Sequence, residues 1–129
     1  MTAGCELGLL AISNGGLSSQ KQIQINMKWY QVIACFFAGA FIANMVPHFI
    51  HGISGDVFPT PFSTPPGKGP SSPTVNVFWG LFNGLIGYLL IRAGKLSNQR
   101  TSSLIVFFLG ILAMSWMLSV AFLEKQMPF

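Results

Sequence analysis

Acidic side chains are nearly absent: the 129 residues contain Glu6, Asp56 and Glu124 and no other carboxylate. Charged residues of both signs together make up 8%, against roughly 25% in an ordinary soluble domain. A soluble protein of this length cannot cover its surface with so few charges, so that class is excluded. Cysteine is scarce as well. Cys5 and Cys35 form no CxxC pair and cannot make a disulfide framework. Cys35 sits within an apolar run, where a thiol acts as a small hydrophobe. The seven Lys and Arg are scattered, with no basic stripe and no aromatic-basic interleaving of a kind that suits bases. Nucleic-acid binding is therefore not expected, despite a formal charge of +4. The stretch "PPGKGPSS" has the residues of a phosphate loop without the GxxxxGK[ST] order or a preceding strand, so nucleotide binding is not expected either.

What the chain does have is apolar length. Half of it is hydrophobic, and three runs approach the ~20 residues that a membrane helix needs: about 29–50, 75–91 and 104–123. Lys28, the Pro-rich segment, Arg92, Arg100 and Glu124 bound them. The expected fold is an all-α integral membrane protein of three transmembrane helices, with a Pro-rich loop at about 54–74. Lys21, Lys28, Arg92, Lys95 and Arg100 fall on one side of this threading, and only Lys68 and Lys125 on the other. The positive-inside rule then places the N-terminus in the cytoplasm and the C-terminus outside, with the loop extracytoplasmic. Trp29 and Tyr30 beside Lys28 suit an interfacial anchor on the inner side. Small size and simplicity point to a bacterial inner membrane.

Residues 1–26 form a cytoplasmic segment whose one apolar patch, 7–12, is too short to span anything. "MKWYQVIACFF" follows it and reads as a fresh beginning, so translation is expected to start at Met27, with the membrane domain covering 27–129. In span two, Asn76, Gly80, Asn83, Gly84 and Gly87 recur at helical spacing on one face. Gly80 and Gly84 make a GxxxG pair, which lets backbones approach closely in lipid, and Asn83 can add an interhelical hydrogen bond of about 0.6–2 kcal/mol. This is a helix-packing face, within the chain or between copies; the other use for it is to line a pore or ligand path.

Chemistry is concentrated in "NMVPHFIHGISGD". Asn44, His48 and His51 follow i, i+4, i+7 spacing and so form a polar face of span one near its outer end. Pro47 removes a backbone donor and is expected to kink the helix. Three uses of the histidines compete. They can hydrogen-bond the Pro-rich loop or the asparagines of span two. They can bind a transition metal or haem, with Asp56 and a second copy of the chain completing a set that two imidazoles leave short. Or one of them, with Asp56, can move protons or work on a lipid or quinone. In the loop, Pro59, Pro61, Pro65, Pro66, Pro70 and Pro73 predict an extended segment with little internal hydrogen bonding. Phe58 and Phe62 are placed to dip into the membrane interface. Beyond the lipid bilayer, the expected partner is a second copy or another membrane protein, through the Gly/Asn face of span two. The leading function is a non-enzymatic oligomeric or accessory membrane component. The alternative is a metal- or haem-associated redox or transport protein using His48 and His51 across an oligomer.

Overall fold

The computed structural model describes residues 27–125; the expectations for 1–26 and for a start at Met27 concern residues outside that range. Three helices account for most of it: α1 (Trp29–Ser54), α2 (Pro73–Gly94) and α3 (Thr101–Ala121), the last running on into a 3-10 turn, Phe122–Glu124. Each is long and apolar enough to cross a membrane, with mean hydropathy 1.8, 1.5 and 2.4 respectively. Among the described residues there is no strand; one isolated antiparallel bridge joins Phe58 to Ser71.

The helices outrun the apolar windows because polar residues close their ends. The Ser72 hydroxyl accepts from Val75 N at 3.3 Å, and Pro73 occupies the first turn, where no N–H is missed. α1 runs unbroken through Pro47 and past His51, ending where Gly55 turns left-handed at φ 79°. Ser103 Oγ donates to Arg100 O at 2.8 Å at the start of α3.

α1 is the middle helix and packs on both α2 and α3, which share no interface of comparable extent. Along the antiparallel α1–α2 contact a small residue faces a larger one at each step. A Cβ added at Gly52 would meet Val77, one at Gly80 the Phe49 backbone, one at Gly84 the Met45 sulfur, and one at Gly87 the Ile42 side chain. Gly94 closes the series against Cys35, whose thiol donates to Gly94 O at 3.5 Å. The α1–α3 contact has one point of closest approach: a Cβ on Gly39 would collide with Phe107 O, and one on Gly110 with Phe36 O. Here the two backbones touch with no side chain between them.

The Pro-rich segment departs from expectation. It folds back on itself with its own hydrogen bonds. Phe58 and Ser71 exchange N–H···O bonds of 3.2 and 3.1 Å, and Thr60 O accepts from Gly67 N at 2.9 Å and from the Ser63 hydroxyl at 2.7 Å. The prolines lack donors, and the interleaved Ser, Thr and Gly residues supply them. Phe58 is buried over the histidines and not presented outward, while Phe62 is exposed and makes a T-shaped contact with Trp79.

Candidate functional site beneath the proline-rich cap

His48 is 3% exposed and lies on the α1 face that meets α2. Its Nδ1 is 2.9 Å from Asn76 Oδ1. Asn76 Nδ2 donates to Phe58 O at 2.9 Å, Ser72 O at 3.1 Å and Ser71 O at 3.2 Å. Three backbone carbonyls fix which end of this amide is the nitrogen, so its oxygen must face His48. His48 therefore donates from Nδ1, and in the neutral ring Nε2 is the bare acceptor. A second relay runs deeper along the same face. Asn83 Nδ2 donates to Trp79 O at 2.7 Å, and Asn83 Oδ1 accepts from Asn44 Nδ2 at 2.9 Å. The Asn44 oxygen is left as the free end.

These bonds satisfy the buried side chains of Asn76 and Asn83, both fully enclosed, which would otherwise cost several kcal/mol each in an apolar setting. They also join the cap to the helices: Phe58 O and Ser71 O belong to the cap bridge, Ser72 to the start of α2, and His48 to α1. Thr60 Oγ1 and Ser71 Oγ add a 2.6 Å bond inside the cap. A Lys68–Glu124 ion pair of 2.8 Å reaches from the cap to the end of α3, but both side chains are exposed and it contributes little.

Both imidazoles meet the Phe58 ring, His51 stacked at 4.2 Å and His48 edge-on at 5.4 Å. Their polar partners differ. His51 Nδ1 is 3.5 Å from Asp56 Oδ2, an ion-pair distance without a hydrogen bond. Among the described residues no group of three or more His, Cys, Asp or Glu side chains converges to hold a metal ion. His48, His51 and Asp56 therefore supply no complete ligand set within one chain. Of the span-two face, Gly80, Gly84 and Gly87 face α1 of the same chain, Asn83 bonds Asn44, and Asn76 bonds both His48 and the cap.

Three residues at the site escaped sequence reasoning: Phe58 as a buried ring, Thr60 as a cap junction, and Trp79 as a wall residue. Trp79 carried a usable signal, because it lies three positions after Asn76 and adjoins Gly80 on the packing face. Phe58 and Thr60 carried none, since their partners are long-range. No protein-family model, curated protein or solved structure matches this chain.

Proposed function

We propose that the protein is a non-enzymatic component of a bacterial inner membrane that works by association with a second copy or another membrane protein. The observation behind this is the use of its buried polar groups. His48, Asn76, Asn44 and Asn83 are tied to one another and to backbone carbonyls, which makes a frame of cap and helices. In this reading the N-terminus lies inside and the C-terminus and cap outside. Lys28, Arg92, Lys95 and Arg100 gather at the end away from the cap, with no carboxylate there among the described residues, whereas Asp56 and Glu124 lie at the cap end, as the positive-inside rule favours.

The α2 glycine face is occupied by α1, and α3 is the least covered of the three helices, so association is assigned to α3. Only Ser103 and Gly110 are buried along α3, and Leu109, Leu112 and Trp116 line an outward apolar groove with Phe36. Single cysteines placed along α3 test this by oxidative cross-linking in native membranes. Cross-links at 109, 112 and 116, with none at 107, would support association through this face. Uniformly absent cross-links, with a monomer-sized species in mild detergent, would sink it.

A second reading has one observation in its favour. His51 Nδ1 stands 3.5 Å from Asp56 Oδ2, a small shift from the carboxylate–imidazole hydrogen bond that orients ligating histidines, and a partner copy could supply further ligands for a metal or haem. Stoichiometric metal or a haem absorption band in the purified protein, lost on His48→Ala/His51→Ala, would replace the first reading with this one.

A further inference from the structure

A partly open cavity of about 170 Å³ lies where the cap meets the ends of α1 and α3. Its wall includes Asn44, His48, Thr60, Trp79, Leu118 and Phe122. The volume far exceeds what one water needs.

The two hydrogen-bond relays decide what the cavity offers. Each is anchored on backbone carbonyls at its far end, which fixes every amide and the imidazole tautomer. Each ends in an acceptor on a residue of the cavity wall: His48 Nε2 in one, Asn44 Oδ1 in the other. The two residues are one helical turn apart on α1, and among the described residues neither atom has a donor. A third group has the opposite need. The Trp79 indole Nε1–H is buried and has no acceptor among the described residues. An occupant that donates to an imidazole nitrogen or amide oxygen and accepts from an indole N–H would satisfy all three groups.

A hydroxyl does both, because it carries one donor and two acceptor lone pairs. A carboxylate lacks the donor. An ammonium lacks the acceptor, and no carboxylate lines the wall to offset the cost of burying its charge. A polyol would strand further hydroxyls against Leu118, Ala121 and Phe122. We propose that this cavity binds the hydroxyl end of a neutral, otherwise apolar amphiphile, an aliphatic alcohol or a phenol of the quinol type, with His48 Nε2 and Asn44 Oδ1 as acceptors and the Trp79 indole as donor. The site is independent of how α3 associates.

The test follows the indole N–H signals of the ¹⁵N-labelled full chain in lipid nanodiscs, with that of Trp79 assigned by its loss in Trp79→Phe. 1-Decanol, methyl nonyl ether, decylammonium and a short-chain hydroquinone are added in turn. The alcohol or the hydroquinone should shift the Trp79 signal saturably, and about tenfold more tightly than the ether, which accepts but cannot donate. Which of the two binds more tightly distinguishes aliphatic from phenolic ligands. Leu118→Trp, which fills the cavity, should abolish the shift while the other indole signals stay in place. Should that variant misfold, Ala121→Leu fills the same space from α3. Equal affinity for ether and alcohol, preference for decylammonium, a shift that survives both filled variants, or no saturable shift with any probe would each overturn the proposal. The last would leave a pocket of water.

Discussion

Asn76 ties the Pro-rich cap to α1 through a single side chain. Its amide shares two protons among the carbonyls of Phe58, Ser71 and Ser72, and its oxygen takes the His48 proton. Those carbonyls have other donors: Phe58 O and Ser71 O bond each other's amides, and Ser72 O accepts from Asn76 N. Asn76→Ala thus strands chiefly the His48 N–H, at a cost of about 1–3 kcal/mol. Asn76→Asp should be worse, because a carboxylate would face three carbonyl oxygens in a dry site. Thermal unfolding in detergent should rank wild type above Asn76→Ala and Asn76→Ala above Asn76→Asp. An aspartate variant as stable as wild type would show that the Asn76 amide nitrogen does not face the three carbonyls.

At the scale of the helices, the two interfaces of α1 differ in how they tolerate a methyl group. At Gly84 an added Cβ meets the Met45 sulfur at 2.7 Å, the flexible end of a thioether that can swing aside. At Gly110 it meets the Phe36 carbonyl, and backbone cannot yield without parting the helices. Gly84→Ala should therefore cost under about 0.5 kcal/mol, and Gly110→Ala about 1–3 kcal/mol through overpacking. Equal losses in a denaturation series would mean that α1 and α3 do not meet as closely as the structure has them. The existence of the three helices was legible in the sequence, because uninterrupted apolar length at low charge is a strong signal. Their ends were less so, since Ser72 and Pro73 stabilise the start of α2 through capping and not through hydropathy. The face containing Gly80, Asn83 and Gly84 was legible from its spacing, but which helix it meets was not, because spacing carries no partner. The cap was least legible. Six prolines argue locally for an extended chain, whereas the fold is set by contacts such as Phe58 with Ser71 and Asn76 that join separate stretches of sequence.

For the whole molecule, the His48–Asn76 pair joins the cap and α2 to α1, and α3 lies against α1, approaching most closely at Gly39 and Gly110. The proposed threading is open to direct check. Lys68→Cys should react with a membrane-impermeant maleimide on intact cells, and Ser97→Cys only after lysis; the reverse pattern would invert the orientation. The claim on which the rest depends is that the Pro-rich segment is a folded cap locked by Asn76. Hydrogen–deuterium exchange of peptides covering 57–72, followed by mass spectrometry in wild type and Asn76→Ala, tests it most directly. Slow exchange is expected at Phe58, Gly67, Gly69 and Ser71 in wild type, markedly faster exchange across the segment in the variant, and unchanged protection in the middle of α1. A segment that already exchanges at the open-chain rate in wild type, or that is indifferent to Asn76→Ala, would contradict it.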